Sequence, residues 1–231
     1  MDHDSVHRTR RAPPLANLVT LSRLPLLLTV IWLACRPPGW WQVAGTVLLI
    51  LVFVMDGLDG YVARRRGECS PFGAMLDIAL DRVVELALWT TFAGLGLAPL
   101  WVVLVFLVRG ALVDAIRASA VAAEGTAPFE ALRHPLAVWL VAGRFMRGFY
   151  AAIKAITFCW LLAFSAVPTL LAAHAPPSWM PLWEALAPYV GAISSALIWT
   201  SVALCLARGL PVIVESARML RPMGGDRRQH G

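Results

Sequence analysis

Six stretches of this chain are apolar for about twenty residues or more, and no other feature constrains its fold as tightly. A hydrocarbon core of roughly 30 Å takes about 20 apolar residues to cross as a helix. The stretches run near Leu15–Cys35, Trp41–Ala63, Phe72–Leu97, Leu100–Ala123, Phe145–Ala173 and Ala185–Ala207. In lipid a backbone has no water to bond to, so segments of this length satisfy themselves as α-helices. The prediction is an all-α integral membrane protein with six transmembrane helices. Turn formers separate the stretches: Arg36-Pro37-Pro38-Gly39, Gly67 through Pro71, Pro99, and Pro176-Pro177. Gly209-Leu210-Pro211 is expected to end the last span. The chain then divides into a basic tail (1–12), a six-helix domain (13–210) and an amphipathic basic tail (211–231), with no internal repeat.

Composition removes several function classes. Hydrophobic residues make up 59% and charged residues 15% of the 231, with a mean hydropathy of +0.69. Both a freely soluble enzyme and a disordered chain are incompatible with that balance. A net charge of +6 does not argue for nucleic acid, because the cations cluster in tails and connections, as topology requires. Only Lys154 is a lysine, and the bias toward Arg and Ala hints at a GC-rich genome.

Orientation follows from the same charges. One set of helix ends carries Arg8, Arg10, Arg11, Arg64, Arg65, Arg66, Arg117, Arg133, Arg144, Arg208, Arg218, Arg221, Arg227 and Arg228. The other carries Arg36 and is rich in Trp: Trp40, Trp41, Trp101, Trp179 and Trp183. By the positive-inside rule both termini are expected in the cytoplasm, with the tryptophans as the aromatic belt of the far leaflet. The expected location is the bacterial cytoplasmic membrane. Cys35, Cys69, Cys159 and Cys205 have no C-x-x-C spacing, the five histidines have no metal-ligand spacing, and no nucleophile elbow or P-loop occurs. A lipoprotein reading of Leu33-Ala34-Cys35 fails on Trp32, a poor cleavage-site residue.

Four aspartates stand where apolar residues belong. Asp56 and Asp59 interrupt the second stretch, and Asp77 and Asp81 open the third. Each costs about 2.5–3.5 kcal/mol at a membrane centre. Spacings of three and four put each pair on one helix face. Two helices joined by a short connection would aim all four into one cavity. Four like charges that close cannot all stay ionised without cations. Hard divalent ions with oxygen ligands answer that need, and two Mg²⁺ or Mn²⁺ would balance four carboxylates. Such a pair clamps a displacement at phosphorus. The plainer alternative pairs the aspartates with Arg64, Arg65, Arg66 and Arg82. It accounts neither for the shared faces nor for Gly57, Gly60 and Gly73, which would let a bulky polyphosphate approach the backbone.

At these residues the sequence resembles the CDP-alcohol phosphatidyltransferases, whose signature is D-x-x-D-G-x-x-A-R, eight residues, then G-x-x-x-D-x-x-x-D. It stands here as Asp56, Asp59, Gly60, Ala63, Arg64, Gly73, Asp77 and Asp81. The resemblance implies a homodimeric six-helix enzyme. It would transfer the phosphatidyl group of CDP-diacylglycerol to an alcohol and release CMP. It makes Asp56, Asp59, Asp77 and Asp81 metal ligands, with Asp81 also the general base, a role an alcohol nucleophile requires. Gly60, Ala63, Arg64 and Gly73 would bind the CDP-lipid. Asn17, Thr20 and Arg23 resemble the family's P-N-x-x-T-x-x-R start, with Ala16 in place of the proline. Asn17 and Thr20 then join the CDP-lipid set, or simply cap a helix, and the plainer alternative for Arg64 is a positive-inside anchor like Arg65 and Arg66.

The acceptor alcohol is read from polar residues in the fourth and fifth stretches. Arg109 to Arg117 resembles the R-E-F-x-x-x-x-x-R stretch of phosphatidylglycerophosphate synthases, with Gly110 replacing the Glu. Gly143-Arg144-Phe145-Met146-Arg147 loosely matches their G-K-x-K-T. Arg binds phosphate with a planar fork of donors. Arg109, Arg117, Arg144, Arg147 and Lys154 are therefore the expected acceptor-binding residues, and the acceptor is expected to carry a phosphate, sn-glycerol 3-phosphate first. Inositol phosphate or another alcohol remains open. So does a simpler account in which Asp114 pairs with Arg117 and the other cations snorkel. A metal-binding channel or a non-catalytic lipid-binding relative is the reading from another class. The first would not need the Gly-Ala-Arg frame, and the second would be expected to have lost a ligand.

Overall fold

The computed structural model describes the backbone of residues 15–66, 71–124, 139 and 143–219, and side chains at 21–57, 73, 75–116, 139, 143, 145–176 and 178–214. Both predicted tails lie largely outside these residues. The described elements are α1 (Leu15–Ala34), α2 (Trp40–Arg66), α3 (Pro71–Gly94), α4 (Leu100–Glu124), α5 (Arg144–His174), a 3₁₀ turn (Pro177–Trp179) and α6 (Met180–Met219). No strand occurs among the described residues. The six predicted helical stretches are thus helices, with ends shifted by a few residues.

The last stretch departs most. It begins at Met180 and continues through Gly209-Leu210-Pro211, where the sequence pattern predicted its end, to Met219. A proline removes one i→i−4 hydrogen bond and crowds the preceding turn, which bends a helix without having to end it. Pro25, Pro168 and Pro188 are likewise inside helices.

Local chemistry explains the turns. Gly39 has φ +142°, closed to most side chains. The buried Gln42 stitches that turn: its Oε1 accepts from Gly39 N–H at 2.7 Å, and its Nε2 donates to Ala34 O at 3.2 Å and Arg36 O at 2.8 Å. At the end of α3, Gly96 has φ +72°, and Leu97 N–H donates to Phe92 O at 2.8 Å, the closing bond of a Schellman cap.

Packing draws all six helices around one aromatic centre. Trp89 meets Phe158 edge-on at 4.8 Å between centroids and Phe106 at 5.1 Å, while Phe92 lies 5.7 Å from Phe158. Leu27 and Val30 of α1, Leu49 and Val52 of α2 and Val202 of α6 complete the core. α5 and α6 are joined by hydroxyls, with Thr157 Oγ1 and Ser201 Oγ 3.0 Å apart and Trp160 Nε1 donating to Ser194 Oγ at 3.0 Å. Such bonds hold helices together where no hydrophobic drive exists between them.

The outside of the bundle is greasy: Leu28, Val47, Ile50, Leu51, Val54, Leu104, Leu107 and Val108 are exposed. So extensive an apolar surface marks a membrane protein rather than a soluble one. Among the described residues, Trp40–Gly57, Phe145–His174 and Met180–Val214 are long and apolar enough to cross a bilayer, and Leu21–Ala34 is apolar but shorter. α3 and α4 are interrupted by charges, among them Asp77, Asp81, Arg82, Glu85, Arg109 and Asp114.

Candidate active site

Three carboxylates converge where α2 and α3 approach α1. Asp56, Asp77 and Asp81 each offer an oxygen, and the three oxygens lie within 4.8 Å of one another. Asp77 and Asp81 are one turn apart on α3, so their convergence is built into the helix. Asp56 arrives from α2, turned inward by the same packing that buries Leu49 and Val52. Asp59 lies on α2 one turn beyond Asp56, but its side chain is outside the described residues, as are those of Asn17, Thr20, Gly60, Ala63 and Arg64. Gly73 is half-buried near the start of α3.

Arg23 of α1 enters the same cluster. Its Nη1 lies 2.6 Å from Asp56 Oδ1 and 3.5 Å from Asp77 Oδ1, and its Nη2 donates to Asp81 Oδ1 at 3.2 Å. The Arg23 side chain is 2% exposed, whereas Asp56, Asp77 and Asp81 are 34%, 48% and 53% exposed. The guanidinium therefore reaches the carboxylates from the bundle interior, and their other sides are exposed. Sequence reading had Arg23 only as a motif member, without a role.

A second polar cluster continues down α3. Glu85, 3% exposed, accepts from Lys154 Nζ at 2.6 Å, from Arg82 Nη1 at 2.8 Å and from Tyr150 Oη at 3.2 Å. Arg82 Nε also donates to Asp114 Oδ2 at 3.1 Å, tying α4 to the same chain of charges. Buried Arg208 lies over the Tyr150 ring at 5.3 Å, and Lys154 over the same ring at 4.5 Å. Buried Arg109 runs across Gly209 so closely that a Cβ there would sit 2.6 Å from Arg109 Cγ. Four cations (Arg82, Arg109, Lys154 and Arg208) thus adjoin two carboxylates (Glu85 and Asp114) in this part of the bundle.

Of the expected acceptor residues, Arg109 and Lys154 belong to this second cluster, Lys154 already paired with Glu85. Arg147 is exposed one turn into α5, and the side chains of Arg117 and Arg144 lie outside the described residues. Asp114 pairs with Arg82. Glu85 was missed in the sequence, although it extends the Asp77, Asp81 series by one more step of four. Arg208 had been read only as a topology charge.

Apolar helices here gather acidic oxygens at one point and basic groups beside them. The chain belongs to the CDP-alcohol phosphatidyltransferase family, whose sequence profile matches residues 14–207. It is a transferase of phospholipid biosynthesis. A Mycobacterium tuberculosis protein provisionally named a cardiolipin synthase is 28% identical over 173 residues, 75% of this chain and 70% of its own. A phosphatidylinositol phosphate synthase of Cutibacterium acnes is 40% identical over 95 residues, 38% of this chain and 45% of its own. The CDP-diacylglycerol–glycerol-3-phosphate 3-phosphatidyltransferase of Bacillus subtilis is 29% identical over 115 residues, 45% of this chain and 60% of its own.

The donor set fits a divalent cation. Hard ions bind oxygens at about 2.0–2.6 Å, so two ligand atoms of one ion stand at most about 4–5 Å apart. The three described oxygens meet that spacing.

Proposed function

We propose that the protein transfers the phosphatidyl group of CDP-diacylglycerol to a phosphate-bearing alcohol, sn-glycerol 3-phosphate first, and releases CMP. The observation that carries this reading is the adjacency along α3 of two opposite clusters: converging acids at Asp56, Asp77 and Asp81, then an excess of cations around Glu85. The first suits a diphosphate bridged by metal, and the second an anionic acceptor.

Asp56, Asp59, Asp77 and Asp81 would hold two Mg²⁺ or Mn²⁺ ions, whose charge would offset that of the diphosphate and of the departing CMP. Asp81, the most exposed of the three described acids, takes the proton of the acceptor hydroxyl. The hydroxyl oxygen then bonds to the lipid-side phosphorus as the bond to the CMP oxygen breaks. Arg109, with Arg117, Arg144, Arg147 and Lys154, holds the acceptor phosphate, joined by Arg208. Asn17, Thr20, Gly60, Ala63, Arg64 and Gly73 flank the CDP-lipid.

All six helices cross the bilayer in this reading, α3 and α4 carrying their charges inward. Exposed Trp40, Trp41, Trp101 and Trp179 favour the far interface for the α1–α2, α3–α4 and α5–α6 connections. Arg64–Arg66 close α2 just after its aspartates, which supports an active site open to the cytoplasm. The exposed apolar faces leave room for the homodimer that the family resemblance implies.

The test is CMP release from CDP-diacylglycerol with Mg²⁺ or Mn²⁺ across a panel of acceptors. Turnover is expected with sn-glycerol 3-phosphate. Reaction with an uncharged alcohol, while glycerol 3-phosphate and inositol phosphate both fail, overturns the acceptor assignment. Reaction with phosphatidylglycerol alone would favour the cardiolipin-type relative.

A further inference from the structure

Arg23 is an expensive residue. It lies in α1, in a stretch (Leu21–Ala34) that is apolar apart from Ser22, Thr29 and Arg23 itself, and its side chain is almost wholly withdrawn from solvent. A buried guanidinium cannot shed its proton, so its charge is permanent. What offsets that cost is contact with carboxylates from two other helices, Asp56 of α2 and Asp77 and Asp81 of α3. Those carboxylates in turn would repel one another at this spacing. The fork geometry of Arg lets one side chain touch all three, which an ammonium on a flexible stem does less well.

A divalent ion drawn to the same acids needs the same oxygen lone pairs and meets a fixed positive charge already among them. We infer that Arg23 is a positioning residue that gathers the three carboxylates and competes with the divalent cation for them, so that it sets the metal concentration the protein requires. The inference rests on the metal reading of the acidic cluster given above. It implies that removing the charge has two opposite effects: a less stable cluster without metal and a tighter grip on metal.

The full chain in detergent is compared as wild type, Arg23→Gln, Arg23→Lys and an Asp56→Asn/Asp77→Asn control. Mn²⁺ binding is followed by the paramagnetic resonance of the free ion, and thermal unfolding is followed in EDTA. Arg23→Gln is expected to unfold at a lower temperature in EDTA and to bind Mn²⁺ about tenfold more tightly than wild type, equivalent to about 1.4 kcal/mol. Arg23→Lys keeps the charge and should stay within a few-fold of wild-type affinity. Should Arg23→Gln survive only when purified with Mn²⁺, EDTA titration of the loaded protein replaces the binding curve, and release at higher chelator than wild type is expected. Mn²⁺ affinity or retention equal to or below wild type in Arg23→Gln overturns the role of Arg23 and leaves the metal reading intact. Wild type that binds no more Mn²⁺ than the Asp56→Asn/Asp77→Asn control overturns the metal reading, and this inference with it.

Discussion

Lys154 Nζ lies 2.6 Å from Glu85 Oε1, and this pair fastens α5 to α3 in the interior of the bundle. Arg82 shares the same carboxylate at 2.8 Å and Tyr150 donates to it at 3.2 Å, so one buried acid organises three partners. Removing one member of a buried ion pair leaves the other uncompensated, at a cost of about 3–5 kcal/mol. Glu85→Gln is therefore expected to lower the melting temperature in detergent sharply. Glu85→Gln combined with Lys154→Met, which deletes the stranded cation, should regain part of the loss. Equal melting of the single variant and wild type would show that Glu85 does not organise the cluster.

On the proposed mechanism the aspartates separate by role. Asp56→Asn or Asp77→Asn should reduce activity and raise the Mg²⁺ or Mn²⁺ concentration needed for half-maximal rate, because each removes a ligand. Asp81→Asn should leave CDP-diacylglycerol binding largely intact while transfer falls about 10²–10⁴-fold, the worth of a general base. Near wild-type turnover by Asp81→Asn, measured as CMP release, would assign the base elsewhere.

Gly209 and Arg109 form a testable couple. A methyl at 209 would stand 2.6 Å from Arg109 Cγ and 2.8 Å from Nε, closer than side chains tolerate. Gly209→Ala should therefore displace Arg109 and raise the acceptor KM while sparing that of the CDP-lipid. Arg109→Ala alone should raise the acceptor KM roughly ten- to a hundred-fold, the value of a charge-assisted phosphate contact of about 1.5–3 kcal/mol. Because both changes act through one side chain, the double variant should be little worse than Arg109→Ala. Additive losses would mean that Gly209 matters for another reason.

Orientation can be checked without activity. With Cys35, Cys69, Cys159 and Cys205 first changed to Ser, Asp226→Cys should react with a membrane-impermeant thiol reagent only after the membrane is opened, as a cytoplasmic C-terminal tail requires. Labelling from outside intact cells would reverse the assigned topology.

What could be read from the chain in advance was what repeats over short distances. Asp77 and Asp81 share a face because four residues make a helical turn, and their convergence with Asp56 was legible in that spacing and the short α2–α3 connection. Their cation was not, since Arg23 and Asp81 are 58 residues apart and nothing local says that α1 packs on α3. Lys154 shows the same gap from the other side. Its position in an apolar stretch marked it as functional, but its partner Glu85 is 69 residues away. Pro211 misled for a different reason: as a helix breaker it is a statistical signal, and α6 runs through it to Met219. Gly209, two residues before it, turned out to matter for the passage of Arg109 rather than for ending a helix.

The arrangement of charges on α3 also bears on how the chain is made. Asp77 and Asp81 find their cation on α1, which is synthesised first, so those two acids meet a waiting partner as α3 emerges. Arg82 and Glu85 do not, because Asp114 and Lys154 belong to helices not yet translated. Their i,i+3 spacing lets them pair with each other meanwhile, as they do at 2.8 Å in the folded chain. Pairing within α3 would let the helix join its neighbours with two fewer naked charges, to be shared with Asp114 and Lys154 once α4 and α5 are in place.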